Sequence, residues 1–227
     1  MLPYRLTALC LPLLLSLSAQ AISLDQLTGK DASAGLKEAL TVAANSAVSQ
    51  LGQSDGFLGN QQVKIPLPDS LKKAEKMLRK FGMGAQADEL ITTMNRAAEG
   101  AVVEAKPILV NSIKQMSWQD AKGILSGGES AATDYFRRTS SQAIAAKFLP
   151  IVKKSTAKLQ LADKYNAYAG QAAQFGLIKA EDANLDDYVT RKAMDGLFLM
   201  IADKEKAIRA DPMGQASKLL QKVFSAN

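Results

Sequence analysis

Two adjacent glycines, a helix-start composition and a pair of arginines follow one another in GILSGGESAATDYFRRTS, residues 123–140. A phosphate-gripping turn needs such parts: backbone N–H groups converging on a helix N-terminus, with cations nearby. The details argue instead for a corner between two helices. Neither G-x-x-x-x-G-K-[ST] nor G-x-G-x-x-G occurs, and no strand pattern leads into the glycines. Glu129 puts a carboxylate where the anion would sit. Arg137 and Arg138 stand seven and eight residues past Ser130, roughly 10 to 12 Å up the helix axis. On the corner reading Gly127 is a left-handed cap for a helix ending at Leu125, and Gly128 or Ser130 opens the next helix. Asp134 then pairs with Arg138 one turn on, while Arg137 and Arg138 face a neighbouring loop or partner rather than the glycines.

Other residue patterns with catalytic potential are weaker. Ser70-Leu-Lys-Lys73 and Ser155-Thr-Ala-Lys158 match S-x-x-K, but the companion S-D-N and K-T-G elements are missing. Glu181/Asp182 and Asp186/Asp187 are carboxylate pairs of the kind glycoside hydrolysis uses across a cleft. Neighbours on a helix point about 100° apart, and Asn184-Leu-Asp-Asp187 reads better as a capping box with acids in the first turn. Asp55, Gly56 and Asn60 offer calcium-type ligands without the EF-hand spacing. There is no histidine, and the one cysteine is Cys10. Imidazole acid–base chemistry, Ser-His-Asp triads and Cys/His zinc sites are therefore closed to the chain beyond that cysteine. No catalytic residue, metal site or cofactor is assigned.

Charge is concentrated rather than spread. Lys72, Lys73, Lys76, Arg79 and Lys80 stand against Glu75 alone, and Lys147, Lys153, Lys154 and Lys158 have no acid among them. At about 100° per residue the first five occupy one arc of roughly 120°, opposite Leu71, Ala74, Leu78 and Phe81. That is a basic amphipathic helix. It fits a solvated face above a core stripe, and it fits docking to phospholipid head groups, lipopolysaccharide or an acidic envelope protein. Nucleic acid is not expected, since no recognition helix or aromatic platform is visible.

The elements that must position these residues are helical nearly throughout. MLPYRLTALCLPLLLSLSAQA carries Arg5, an apolar run from Leu6 to Leu17 and Ala19-Gln20-Ala21, the pattern of a signal peptide cleaved after Ala21. Cys10 follows Leu9 inside the apolar run, which argues against a lipid anchor there. Cleavage removes Arg5 from 28 basic residues and none of the 22 acidic ones, leaving a net charge of +5. Export to the periplasm is the expectation, with residues 22–227 as one domain that does not span the membrane.

Apolar steps of three and four run from Asp31 to Gly52, from Pro68 to Gly82, and through Leu90, Met94, Ala97, Ala101 and Ala105 to a break at Pro107. Ser117-Trp-Gln-Asp120 is a capping box for a short helix. A stripe through Ala132, Phe136, Thr139, Ala143 and Ala146 predicts a further helix interrupted at Pro150. Helical patterns follow at about 151–175, from Asn184 to about 210, and from Pro212 to Phe224. Residues 53–68, QSDGFLGNQQVKIPLP, read as a Gly/Pro-rich loop or small hairpin. The fold class is all-α: a compact multi-helix domain built of short antiparallel helix pairs.

GLKEAL (35–40), DGFLGN (55–60), KIPLPDSL (64–71), MNRAAE (94–99), GGESAATDYFRRTS (127–140) and RADPMGQASKLLQKVF (209–224) together resemble the domain-of-unknown-function 4197 family, in the family's order. The resemblance implies an exported, mostly helical bacterial protein and carries no assigned reaction or functional residues. Two functions follow from the residues themselves. One is a non-enzymatic interaction module docking an acidic partner or anionic envelope surface through Lys72, Lys73, Lys76, Arg79 and Lys80, with Lys153, Lys154 and Lys158. The other is a small-molecule binder or unconventional hydrolase with a cleft at the 53–68 loop, lined by Asp55, Lys64, Arg137 and Arg138.

Overall fold

The computed structural model describes residues 29–82, 84–158, 160–176 and 178–211. The expected leader, Cys10 and the helical pattern beyond Pro212 lie outside these residues, as do the side chains of Lys73, Ala74 and Leu78. Eight α-helices are described: α1 (Gly29–Leu51), α2 (Asp69–Lys80), α3 (Gly84–Val102), α4 (Ala105–Gln115), α5 (Trp118–Leu125), α6 (Ala131–Thr156), α7 (Gln160–Gln174) and α8 (Leu185–Ala210). A 3₁₀ turn at Ala180–Asp182 precedes α8, and among the described residues there is no strand. The all-α expectation holds, and the 52–68 segment is a chain of turns and extended residues.

Helix α6 is the axis of the molecule, touching α3, α4, α5 and α8. Its buried residues are Ala132, Phe136, Ser140, Ile144, Phe148, Val152 and Thr156, each four after the last, with Thr133 and Tyr135 beside the first of them. A strict step of four drifts about 40° around the helix each time. The buried line therefore winds around α6 and meets different neighbours along its length. The expected stripe is correct at Ala132 and Phe136 but fails at Thr139, Ala143 and Ala146, which are exposed. Serine and threonine occupy buried positions here, so polarity concealed the true line. Phe57, Phe136, Phe148 and Phe198 are completely or almost completely buried, each contributing about 1.5 to 3 kcal/mol through burial.

The two internal prolines behave differently from expectation. The α3 pattern stops at Val102, before Pro107, and α4 already begins at Ala105. A proline ring clashes with the carbonyl four residues back, here that of Val103, so the chain turns there. Pro107 then sits in the first turn of α4, where its missing N–H has no intrahelical partner to lose. Pro150 does not interrupt α6. It lies on the exposed face, as does Ala146, whose carbonyl the proline gives no N–H, while Phe148 and Val152 on either side are fully buried and hold the helix together.

The helix ends show the local logic most directly. The capping box predicted at Ser117 is present in both directions: the Asp120 backbone N–H donates to the Ser117 hydroxyl at 3.1 Å, and the Ser117 backbone N–H donates to the Asp120 carboxylate at 3.1 Å. The Ser117 hydroxyl and N–H hold the Asp120 carboxyl below the usual carboxylate range. A lowered folded-state value means this stabilisation is present above the ordinary carboxylate pKa and is lost as pH falls through the lowered one. The Asn184 side chain accepts from the N–H groups of Asp186 and Asp187 at the start of α8.

Gly127 is not a left-handed cap, because positive φ is confined to Asp55, Gly82 and Gly176 among the described residues. It is required by proximity: a Cβ there would stand 2.6 Å from both the Ala131 Cβ and the Gly123 carbonyl oxygen. Gly127→Ala should destabilise the protein by about 1 to 3 kcal/mol through overpacking. A urea unfolding midpoint that drops with an unchanged slope would show it.

Candidate functional site

The helix N-terminus after the glycine pair is an anion site whose occupant is part of the chain. The backbone N–H groups of Ala132 and Thr133 donate to the Glu205 carboxylate at 3.0 and 2.9 Å, and the Thr133 hydroxyl donates to it at 2.9 Å. Arg209 donates to the same carboxylate at 2.9 Å and to the Ile124 carbonyl at 2.9 Å, tying α8 to the end of α5. Glu205 is 4% exposed, so α8 places a buried, fully engaged acid at the start of α6 where a phosphate would otherwise sit. Glu129, the acid expected there, is on the surface, 3.8 Å from Lys206. Asp134 accepts from the Ser130 hydroxyl instead of meeting Arg138, whose guanidinium pairs with Asp120 at 3.3 Å.

The 52–68 segment is clamped by α3. The Phe57 and Leu58 N–H groups each donate to the Glu99 carboxylate at 3.1 Å, and Arg96 bridges Glu99 at 2.6 Å and Asp55 at 2.8 Å. Asn95 treats Ile65 as a strand neighbour would, accepting from its N–H at 2.8 Å and donating to its carbonyl at 2.9 Å. Phe57, Val63, Ile65 and Leu67 are buried beneath, with Phe57 and Val63 against Gly196 of α8. Asp55 is thereby an ion-pair partner at the clamp. Lys64 is exposed, and neither it nor Asp55 lines the cavities described below.

The S-x-x-K serines and the acid pairs also have structural partners. The Ser70 hydroxyl lies 3.0 Å from that of Tyr165, and Ser155 donates to the Ile151 carbonyl at 3.1 Å. Asp186 is buried against the Thr156 hydroxyl, and Asp182 receives Arg191 at 2.6 Å.

The cationic face of α2 is smaller than its composition suggests. Lys72 pairs with Asp69 at 2.7 Å, and Arg79 is held by Glu75 at 3.0 Å and Asp88 at 2.6 Å. Lys76 and Lys80 are exposed without an ion pair among the described residues, as are Lys153, Lys154 and Lys158. Phe81 is not core: it is 66% exposed, and Met77, one turn before it, is 60% exposed. Half of the large exposed hydrophobics among the described residues, namely Met77, Phe81, Tyr168 and Phe175, belong to α2, α7 or their ends. These are also the helices tied least into the bundle. Ser70 meets Tyr165, Tyr165 donates to the Asp182 carbonyl, and Thr156 meets Asp186. That chain of contacts brings the start of α2, α7 and the lysine-rich end of α6 to one end of the molecule.

Two cavities lie along α8. A groove of about 430 Å³ between α6 and α8 is floored by Ala145, Leu149, Met194 and Phe198 and bordered by Arg137, Asp187, Thr190, Arg191 and Asp195. The Arg137 guanidinium lies 4.7 Å from the centre of the Phe198 ring. A polar cleft of about 340 Å³ adjoins it at Arg191, with Lys72, Lys179, Lys192, Asp69, Glu181 and Asp182 around Tyr188. Burial, and Asp182 nearby, push the Tyr188 hydroxyl up to about 12, so it remains protonated and donates to the Pro66 carbonyl at 3.0 Å. Of the four residues placed by sequence at a cleft, only Arg137 lines a cavity described here, and that cavity is not at the 53–68 loop. Beyond Arg137 and Asp187, the groove residues carry no sequence signal, since Ala145, Thr190 and Met194 read as ordinary helix positions. No helix among the described residues is long and apolar enough to cross a membrane, and they hold no cluster of acids able to bind a metal ion.

No curated protein and no solved structure matches the chain. One family does, described as protein of unknown function (DUF4197), over residues 26–225. With that match spanning nearly the whole length and the helical fold in agreement, the chain belongs to the DUF4197 family.

Proposed function

We propose that the protein docks onto an anionic phospholipid surface through the outer edge of α2. The observation that carries this reading is the side-by-side exposure of unpaired Lys76 and Lys80 with Met77 and Phe81. Lysines at head-group level next to apolar side chains are the composition of an interfacial helix. Export to the periplasm, expected from the leader, is part of the same proposal. Tyr168 on α7 and Phe175 just past its end, with Lys153 and Lys154 in the last turn of α6 and Lys158 just beyond it, extend the contact in support of α2.

Sedimentation with vesicles tests it. The protein should pellet with phosphatidylglycerol vesicles and stay in solution with pure phosphatidylcholine, and salt should weaken the binding. Each lysine near an anionic surface contributes about 1 kcal/mol, so Lys76→Ala with Lys80→Ala should lower partitioning roughly 30-fold. Met77→Ser with Phe81→Ser should weaken binding at every salt concentration. Variants that pellet like the wild type would refute docking through α2.

A further inference from the structure

The groove between α6 and α8 has the make-up of a ligand site, and α2 contributes nothing to it. The two helices run antiparallel: Thr133 meets Glu205, Arg137 meets Phe198, and Thr156 meets Asp186. Along α6 the groove extends from Arg137 to Leu149, roughly 18 Å at about 1.5 Å per residue. Its volume of about 430 Å³ lies in the range of small-molecule sites, which are mainly apolar with a few placed polar groups.

Polar groups border both ends: Asp187 and Arg191 lie toward the Leu149 end, where Arg191 is committed to Asp182, and Arg137 and Asp195 lie toward the other. Arg137 stacks on Phe198 at one end, and Asp195 stands one helical turn before Phe198 on α8. Neither Arg137 nor Asp195 has an ion pair among the described residues, in a protein where Arg79, Arg96, Arg138, Arg191 and Arg209 are all paired with acids. The aromatic ring holds the Arg137 guanidinium in place without using its N–H donors. That end therefore presents an uncommitted cation and an uncommitted anion together. From there the floor is Ala145, Met194 and Leu149, and Thr190 in the wall is buried with a hydroxyl that has no hydrogen-bond partner.

We infer that this groove binds a single-chain zwitterionic amphiphile. Its anionic group sits on Arg137, its ammonium group meets Asp195, and its apolar chain runs along the floor toward Leu149. A head group with only a negative charge would leave Asp195 facing it unpaired. A purely cationic amphiphile would do the same to Arg137. The ligand class thus follows from charge complementarity at the Arg137 end and from the apolar floor of Ala145, Leu149 and Met194.

Isothermal titration with three probes of matched chain length tests the inference: lysophosphatidylethanolamine, lysophosphatidylglycerol and an alkyltrimethylammonium. The zwitterion should bind as one molecule per protein, about tenfold or more tighter than either singly charged probe. Arg137→Ala and Asp195→Asn, both at exposed positions, should each weaken the zwitterion about tenfold and leave the unfolding midpoint nearly unchanged. Ala145→Trp should abolish binding by filling the floor. None of the three should alter pelleting with phosphatidylglycerol vesicles, which separates this site from docking through α2. Equal binding of all three probes, or wild-type zwitterion affinity in the Arg137 and Asp195 variants, would overturn it as mere detergent-like association.

Discussion

Replacing Glu205 with alanine is expected to cost about 3 to 5 kcal/mol of folding stability, the largest effect of any single side chain here. The carboxylate is 4% exposed and accepts from two backbone N–H groups, one hydroxyl and Arg209. Truncation leaves the Ala132 and Thr133 N–H groups unpaired at the start of α6 and removes the carboxylate that Arg209 meets there. It also removes the negative charge that complements the α6 dipole. Glu205→Gln keeps one acceptor oxygen and should lose less, while Glu129→Ala, at the exposed acid nearest in sequence, should be close to neutral. Urea unfolding of the three variants checks the order. Equal losses at Glu129 and Glu205 would mean that the cap is not the one seen.

Asn95→Ala should be nearly as damaging, at about 3 to 5 kcal/mol, because it leaves both polar groups of the buried Ile65 peptide without partners. Asn95 is fully buried and also donates to the Ile91 carbonyl at 2.8 Å. Leucine is not a remedy, since it cannot satisfy the Ile65 N–H. Beyond lost stability, the variant should release the 52–68 segment selectively. Hydrogen exchange should rise at Phe57, Leu58 and Ile65 more than in α6. Uniform exchange across the molecule would show that Asn95 does not act through that segment.

Much of the fold was readable because helices are governed by local rules. The starts of α2, α5 and α8 lie where Pro68-Asp69, Ser117-x-x-Asp120 and Asn184 announce them, and Gly82 ends the α2 pattern with φ of 75°. Where expectation failed, a residue's role depended on contacts distant in sequence. The clash at Val103 moved the α3 break upstream of Pro107, and burial on both sides of Pro150 kept α6 intact. Leu71 packs against the core as its periodicity implies, yet Phe81 at the same helix's end projects into solvent.

The candidate sites were less legible for the same reason. Lys72 and Arg79 belong to one basic arc by spacing, but Asp69, Glu75 and Asp88 neutralise them and leave Lys76 and Lys80 as the free charges among that helix's described side chains. Arg137 was singled out beside the glycines, but only the crossing of α6 with α8 sets it over Phe198 at the end of a groove.

By itself the sequence determined the helical class, most helix ends, the family, and the absence of imidazole chemistry, because these rest on periodicity, capping residues, matched segments and composition. Only the tertiary structure decided what fills the anion site after the glycine pair. The N–H groups of α6 needed an acceptor, and spacing could offer only the neighbouring Glu129. The true acceptor, Glu205, lies 72 residues from Thr133 and is brought there by the antiparallel packing of α8 on α6.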